Sequence, residues 1–342
     1  MGPFHVGKDV DSFQETLGHF TGVSSVTFKW TLGALPWEVL RSCLVKPRMT
    51  SITLDAGSSD RMEVPAYPID DVVPSSLKTF TFTTIMWREY ENEMSPVRYR
   101  GRVRNMTKVF DLEQECMRVV LRSICGTATS LRLPMESTPI LDMAKVSWPR
   151  LRELYLHGRF RAMAHAISLQ ELLPNLGSLE TLSVLAARRK DLRRPAVLPE
   201  APSTSAQSPI LPALRSLTLA YPNPEDGIFS IDVAGLTHLS IRDCPRFYHL
   251  FAYRTRLLQP WYAPLLTPIQ CLSILKRMEM PNLTSLELVY MVPDAGADHD
   301  LLFHIARSYP RLTHLEIHRY RLNRPERVPY VRVPPFLRWP MR

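Results

Sequence analysis

The sequence predicts an α/β solenoid, a stack of strand–helix units with parallel strands on one face and helices on the other. An octet whose third, sixth and eighth residues are apolar recurs, most clearly as Pro212–Leu219 (PALRSLTL) and Pro310–Ile317 (PRLTHLEI). Offsets are counted from the first of these apolar residues, so the three lie at offsets 0, +3 and +5. Seven of the nine intervals between successive copies measure 22 to 35 residues, and a repeated period of this size indicates a repeat architecture. Helix-type segments fill the intervals. A doubly wound α/β domain is the alternative, but the recurring octet favours the solenoid.

Each octet predicts one strand. Its last two apolar residues are two positions apart, so they point to one face of a strand and the residues between them point to the other. The two longest intervals, 51 and 47 residues, span about two periods, so each contains an insertion or a degenerate repeat. The Ala128 octet fits the pattern least well. The ten apolar triplets are Val23/Val26/Phe28, Met49/Ile52/Leu54, Leu77/Phe80/Phe82, Ala128/Leu131/Leu133, Leu151/Leu154/Leu156, Leu179/Leu182/Val184, Leu214/Leu217/Leu219, Leu236/Leu239/Ile241, Leu283/Leu286/Leu288 and Leu312/Leu315/Ile317.

Helices are predicted between the strands from capping residues and apolar periodicity. Proline disfavours helix at the residue before it, so several of these helices should end just before the proline of the next octet. The predicted helices run from Asp11 to about His19, from Pro36, after Asp111, from Arg161 to Leu172, after Thr267, and after Asp298 or Asp300.

Three segments interrupt the repeats and a fourth follows them. We predict one irregular repeat domain over residues 1–318, with insertions at about 86–108, 188–210 and 242–266. The second insertion is rich in Pro, Ser and Ala and is predicted to be an exposed loop. The third is aromatic and proline-rich and is predicted to pack on the solenoid edge. Residues 319–342 form a basic tail with Pro and aromatic residues, and we expect it to cap the last repeat.

The positive charge lies outside the repeats. The chain carries a formal net charge of +9. Residues 88–108, 188–194 and 319–342 together contain 18 Lys/Arg and 5 Asp/Glu, which is +13, and the remainder contains 24 and 28, which is −4. A nucleic-acid-associated protein that uses the insertions and the tail is therefore the alternative function. Nucleic acid is the less favoured partner, because such proteins usually carry their charge along a folded face.

The five cysteines are scattered, odd in number and form no C-x-x-C pair. This pattern argues against a disulfide framework and against a zinc ribbon, and it is typical of reduced thiols in a cytoplasmic or nuclear protein. No secretion signal is recognised at the N-terminus. The longest uncharged run, between Arg256 and Lys276, is interrupted by Pro260, Pro264 and Pro268, so no membrane helix is predicted.

One octet matches a known repeat consensus in full. Leu236-x-x-Leu239-x-Ile241-x-x-Cys244 follows L-x-x-L-x-L-x-x-N/C, although the other copies lack Asn or Cys at the last position. The octets therefore resemble leucine-rich repeats, and their irregular lengths and P-x-L-x-x-L-x-L strands resemble the repeat region of fungal F-box/leucine-rich-repeat proteins. The resemblance implies a curved horseshoe with strands on the concave face and helices on the convex face. It also implies a non-enzymatic, F-box-like protein that recognises substrates for a cullin ubiquitin ligase.

Leu35-Pro36-Trp37-Glu38-Val39-Leu40 resembles the opening of an F-box, the module that docks a Skp-type adaptor. It lies between the strands at Phe28 and Leu54, which are one repeat period apart. A three-helix module does not fit there, so we predict that the segment is the helix of a repeat. The sequence has no recognisable F-box, and a Skp-type adaptor is expected as a partner only if an F-box lies upstream.

Offsets +2, +4 and +6 of each octet should project from the concave face, which commonly binds proteins in repeat architectures. The early repeats place mainly Ser and Thr there, whereas later repeats place charged residues, imidazoles and a tyrosine. A solvated sheet face without a ligand is the alternative. The candidate concave binding face comprises Glu153, Tyr155, His157, His238, Ser240, Arg242, Glu287, His314, Glu316 and His318.

His314-x-Glu316-x-His318 places three possible zinc ligands on one strand face. Exposed histidines are common on strands, however, so we predict no metal site and no cofactor. The sequence contains no G-x-S-x-G, P-loop, G-x-G-x-x-G or H-E-x-x-H motif. A Cys244–His249 pair is not favoured as a catalytic site, because Cys244 occupies a repeat position that is expected to be buried. The chain is therefore not expected to be an enzyme.

Overall fold

Ten parallel strands form one sheet in which each strand pairs with the next one along the chain. The computed structural model describes residues 8–29, 35, 37–55, 75–84, 106–160, 169–187, 196–199, 210–244, 265–293 and 296–321. Parallel neighbours in sequence order require every connection to cross on the same side, which produces a stack of repeats. This arrangement confirms the predicted fold class. The chain is a leucine-rich-repeat α/β solenoid with strands on the concave face and helices on the convex face.

All ten octets form strands, including the Ala128 copy. The strands are β1 Ser25–Lys29, β2 Ser51–Asp55, β3 Thr79–Thr83, β4 Ser130–Pro134, β5 Glu153–Arg159, β6 Thr181–Ala187, β7 Ser216–Ala220, β8 His238–Arg242, β9 Ser285–Val292 and β10 His314–Arg321. Equivalent octet positions face each other, as when Leu182 aligns with Leu154 and Leu217. Strand β3 pairs directly with β4, and β8 pairs directly with β9. The two long intervals therefore insert no strand into the sheet at these two positions.

One backbone arrangement recurs at each step of the stack. The carbonyl at octet offset +1 accepts the N–H groups of offsets +1 and +2 in the next repeat, as when Arg215 accepts from Thr237 and His238 at 2.8 and 3.0 Å. The same pair of bonds occurs at all nine steps. Threonine hydroxyls at offset +1 add a third donor to the carbonyl, as Thr284 does to Thr237 at 3.0 Å. This ladder fixes the register of the strands at the point where each strand begins.

The apolar octet positions build a continuous core between the sheet and the helices. Leu154, Leu182 and Leu217 are all 0% exposed and stack in one row through the middle of the sheet. Burial of such a side chain contributes roughly 1.5–3 kcal/mol. The row becomes exposed to solvent at the last strand, where Leu315 is 47% exposed. The interior repeats therefore bury their leucines between two neighbours, whereas β10 has a neighbouring strand on one side among the described residues.

Six α-helices lie wholly within the described ranges, the first before β1 and the other five between strands. They are α1 Lys8–His19, α2 Trp37–Leu44, α3 Met106–Ile124, α4 Ile140–Ala144, α5 Pro268–Arg277 and α6 His299–Ser308. Helix α2 lies between β1 and β2 and buries Trp37, Val39 and Leu40 in the core. The last four residues of the LPWEVL segment therefore belong to a repeat helix, as predicted.

The predicted helix starts are partly correct. Thr267 caps α5 in a complete capping box with Gln270, as the sequence suggests. The prediction for Asp111 is wrong, because α3 begins five residues earlier, at Met106. Asp298 occupies the N-cap of α6, but its side chain makes no cap bond. Its carboxylate instead accepts hydrogen bonds from Tyr290 and Arg319, at 2.9 and 2.8 Å.

Several predictions fall on residues outside the described ranges. These include most of the three insertions, residues 322–342 of the tail, and residues 161–168 of one predicted helix. Residues 169–172 are helical and lead into a 3-10 turn at Leu173–Asn175. Strand β10 extends through Arg321, three residues beyond the predicted domain boundary. No helix in the described part of the chain has both the length and the apolar character needed to cross a membrane.

Candidate functional site

The concave face is the sheet face opposite the helices, and its side chains stand in three rows at octet offsets +2, +4 and +6. In β5 the partly exposed Glu153, Tyr155 and His157 alternate with the buried Leu154 and Leu156. The other predicted residues fall into the same rows. The +2 row contains Glu153, His238 and His314, the +4 row contains Tyr155, Ser240, Glu287 and Glu316, and the +6 row contains His157, Arg242 and His318.

The ten predicted residues separate into two groups. The central cluster lies on β4 and β5 and comprises Glu153, Tyr155 and His157 together with Ser130 and Arg132. The C-terminal cluster lies on β8, β9 and β10 and contains the other seven predicted residues. Strands β6 and β7 separate the clusters with small polar side chains such as Thr181 and Thr218. Strand β8 is three strand spacings from β5, about 14 Å.

In the central cluster, Ser130 Oγ donates to Glu153 Oε2 at 2.8 Å, and the Arg132 guanidinium lies 4.9 Å from the centre of the Tyr155 ring. Burial raises the pKa of Tyr155, and the charge of Glu153 adds to this effect while Arg132 opposes it. The phenol therefore stays protonated at neutral pH and can donate a hydrogen bond. The prediction omitted Ser130 and Arg132, although both are concave positions of the Ala128 octet.

Buried charged groups lie next to this cluster at the end of β5. Glu136 and Arg159 are each 1% exposed. Gly158 has a φ of +107°, and a Cβ at this position would lie 2.3 Å from Glu136 Oε2. Glycine is therefore required at position 158 by both the backbone conformation and the neighbouring carboxylate. Sequence reasoning missed this feature, because Glu136 and Gly158 are on successive repeats and neither residue belongs to the apolar pattern.

In the C-terminal cluster, Glu287 is 7% exposed and holds two partners from β8. Ser240 Oγ donates to Glu287 Oε2 at 2.6 Å, and Arg242 Nε lies 3.7 Å from Glu287 Oε1. Glu316 is the register neighbour of Glu287 on β10 and forms a hydrogen bond with His318. The two carboxylates thus stand side by side on neighbouring strands.

His238 lies at the rim of the same cluster. Burial lowers its pKa, the charge of Glu287 opposes this effect, and His314 adds to it. The imidazole is therefore neutral at pH 7, when it can both donate and accept a hydrogen bond. A neutral imidazole beside the Glu287 carboxylate makes this end of the face polar.

The structure changes the composition of the possible metal ligands. The sequence suggested His314, Glu316 and His318 as a triplet on one strand. Among the described residues, a group with one potential ligand atom each within 4.8 Å of one another is formed by Glu287, Glu316 and His318. The carboxylate of β9 thus takes the place of His314, because parallel pairing aligns Glu287 with Glu316.

Three cysteines are unsuited to nucleophilic chemistry. Burial raises the pKa of Cys43 to about 11 and that of Cys271 to about 12, and it also raises the pKa of Cys116. The thiol, which is the unreactive form, therefore dominates at neutral pH. Cys244 is partly exposed, so the prediction that it is buried is wrong. Its proposed partner His249 lies outside the described residues.

No family model matches the sequence, and no curated protein matches it. Among solved structures, the chain is similar to a chain in the crystal structure of the Rad7 and Elc1 complex in yeast. The two share 12% sequence identity with a TM-score of 0.35, and the alignment covers 91% of this chain and 82% of that one. Similarity at this level establishes neither a shared family nor a shared function, so the fold assignment rests on the ten-stranded sheet itself.

Proposed function

We propose that this chain is a non-enzymatic interaction scaffold that binds a protein partner on the concave face of its sheet. The observation that carries the proposal is a pair of polar side-chain rows, at octet offsets +2 and +4, that crosses all ten strands of one sheet, beside a mixed row at offset +6. Repeat solenoids commonly use such extended faces for protein recognition. A solvated sheet face would account for the hydroxyl-rich early strands, but it gives no reason for the charged and aromatic groups of the later ones.

The dimensions of the face suit a protein more than a small molecule. Ten strands have nine spacings, so the face is about 43 Å long, and five residues per strand make it about 16 Å wide. The product is roughly 700 Å², close to the roughly 800 Å² that each partner contributes to a typical protein interface. A small ligand, by contrast, usually requires an enclosing pocket lined by apolar groups.

The central cluster is the part of the face where we expect most of the binding energy. Tyr and Arg are enriched among interface residues that dominate affinity, and they act best near the middle of an interface. Tyr155 and Arg132 occupy the fifth and fourth of the ten strands, and they already contact each other. The C-terminal cluster is expected to contribute hydrogen bonds and charge complementarity to specificity.

Affinity purification with concave and convex variants tests this proposal. Tyr155→Ala should reduce recovery of the bound protein on the order of tenfold or more, since truncating a dominant interface residue costs about 2 kcal/mol or more. The matched control is Phe303→Ala, which removes an aromatic side chain that is 59% exposed on α6. Partners should be recovered equally by the control and by the unchanged chain. Equal recovery with Tyr155→Ala, or no reproducible partner at all, would contradict the proposal.

The resemblance to fungal F-box/leucine-rich-repeat proteins supports a finer proposal, namely recognition of substrates for a cullin ubiquitin ligase. The LPWEVL segment does not supply an F-box, because its last four residues begin the repeat helix α2. A Skp-type adaptor would therefore have to join through a module outside these repeats. Purification of the protein from its own cells should recover that adaptor with the Tyr155→Ala variant as well. Recovery of other partners without any adaptor would remove the ligase connection and leave the scaffold.

The nucleic-acid alternative gains no support from the described residues. Arg319, the first residue of the predicted basic tail, is paired with Asp298 through contacts of 2.6 and 2.8 Å. The other basic segments lie almost entirely outside the described ranges. Filter binding across a series of salt concentrations distinguishes the two functions, because binding to phosphates weakens steeply with salt.

We place this scaffold in the cytoplasm or nucleus. The five cysteines are scattered and form no C-x-x-C pair, a pattern typical of reduced thiols in these compartments.

A further inference from the structure

Three potential metal ligands converge on the concave face at the C-terminal end of the sheet. Glu287 and Glu316 are register partners on β9 and β10, and His318 is two residues beyond Glu316 on the same face. One ligand atom from each residue lies within 4.8 Å of the others. The three residues thus come from two adjacent strands whose relative position is fixed by an eight-residue parallel ladder.

The electrostatics of this group favour an additional cation. Like charges placed directly opposite each other on neighbouring strands are destabilising. Glu287 is also only 7% exposed, which raises the cost of its charge. Both carboxylates have polar neighbours, since Arg242 Nε lies 3.7 Å from Glu287 and His318 is hydrogen-bonded to Glu316. A divalent cation between the carboxylates would offset both of their charges.

We propose that Glu287, Glu316 and His318 form a binding site for a divalent transition-metal ion of the zinc type. Two carboxylate oxygens and one imidazole nitrogen form a mixed ligand set that suits zinc, with a fourth position left for water or another donor. Magnesium and calcium prefer all-oxygen sites, so the histidine argues against them. The sequence alone favoured no metal site, because exposed histidines such as His314 and His318 are common on strands. Glu287 became a candidate ligand only when strand pairing placed it beside Glu316.

The side chains need to move little to coordinate the ion. Zinc at about 2.1 Å from each ligand separates tetrahedral ligand atoms by about 3.4 Å. The ligand atoms lie within 4.8 Å of one another, and the hydrogen-bonded Glu316–His318 pair would open slightly to admit the ion. The side chains of His318 and Glu316 are 35% and 43% exposed, so they can rotate toward Glu287 without repacking the core. The fourth position of the ion would face outward from the sheet. Metal binding does not depend on the proposed protein partner, so the two proposals can fail separately.

Zinc titration of the purified chain after chelator treatment tests the site. We expect one ion to bind per chain by calorimetry and Tm to rise with zinc concentration. Glu316→Gln and His318→Gln should each weaken zinc binding by more than the roughly 10- to 100-fold that loss of an outer-shell partner costs. Both replacements are at partly exposed positions, so the fold should be retained. The matched control is His299→Gln, an exposed histidine on α6, which should bind zinc like the unchanged chain.

Two further measurements separate a site from nonspecific effects. In chelator, Glu316→Gln should melt at or above the Tm of the unchanged chain, because it removes one of two opposed carboxylates. Arg242→Gln should increase the zinc-dependent rise in Tm, because it removes a competing cation beside Glu287. The proposal is overturned if zinc does not raise the Tm of the unchanged chain. It is also overturned if Glu316→Gln and His318→Gln respond to zinc like the His299→Gln control.

Discussion

Gly158 is the described glycine at which a side chain would meet the most severe obstruction. Its φ of +107° is unfavourable for other residues, and an added Cβ would lie 2.3 Å from a carboxylate oxygen of the buried Glu136. We predict that Gly158→Ala lowers the free energy of unfolding by about 2–4 kcal/mol, which combines backbone strain with overpacking. Urea denaturation measures this change.

Gly177→Ala is the matched control for this prediction. Nothing lies within 4 Å of a Cβ at Gly177, so the substitution should change stability by less than about 1 kcal/mol. If Gly158→Ala and Gly177→Ala unfold at the same urea concentration, the close approach of Glu136 to Gly158 does not constrain the fold.

The two clusters of the concave face show which binding-face residues could be predicted from the sequence and which could not. All ten predicted positions lie in the three rows, because alternation along a strand is a local property. Arg132 and Ser130 were missed because their octet is the weakest of the ten. Whether any of these residues binds a partner remains a prediction, which the Tyr155→Ala experiment addresses.

At the scale of the repeating element, the ladder at octet offset +1 holds neighbouring strands in register. Thr284 Oγ1 donates to the Thr237 carbonyl at 3.0 Å, beside the two backbone N–H groups that the same carbonyl accepts. We predict that Thr284→Ala lowers the free energy of unfolding by about 0.5–1.5 kcal/mol, the usual net contribution of one hydrogen bond. Thr284→Ser retains the hydroxyl, so it should lower the free energy of unfolding by less than Thr284→Ala does. Equal losses for the two variants would show that the hydroxyl bond adds nothing to the ladder.

The helices were less predictable than the strands. Thr267 was identified as a cap because it directly precedes Pro268, which suits the first turn of a helix, and the structure adds a capping box with Gln270. Asp298 occupies a cap position but binds Tyr290 and Arg319, both of which reach it from outside its own helix. Asp111 lies inside α3, which begins at Met106. Cap residues are therefore reliable signals only where no tertiary partner competes for the side chain and no upstream residues extend the helix.

At the scale of the whole molecule, the position of a leucine in the stack should decide its contribution to stability. Leu217 on β7 is 0% exposed, whereas Leu315 occupies the same octet position on β10 and is 47% exposed. We predict that Leu217→Ala lowers the free energy of unfolding by about 2–5 kcal/mol, because it leaves a cavity between two neighbouring repeats. Leu315→Ala should cost less than half as much in the same urea experiment. Equal costs would contradict a stack in which each repeat is stabilised by both of its neighbours.

The amino-acid sequence by itself determined the number of strands, their order and the side chains that form the core. These properties follow from the octet, whose spacing is read within eight residues and repeats along the chain. A chain with such a repeat stacks each unit on the preceding one, so parallel pairing in sequence order follows from local pattern alone. The same reasoning identified LPWEVL as a repeat helix, because the strands on either side of it are one period apart.

Only the tertiary structure decided which polar side chains meet. Glu287 lies beside Glu316, Arg132 beside Tyr155, and Glu136 against Gly158. The partners in these pairs are 22 to 29 residues apart in the sequence, and they meet through strand pairing or through the turns that follow the strands. The apolar positions must repeat because they share one core, whereas polar positions face solvent and follow no common pattern. Their neighbours are therefore set by the register and the turns of the folded chain.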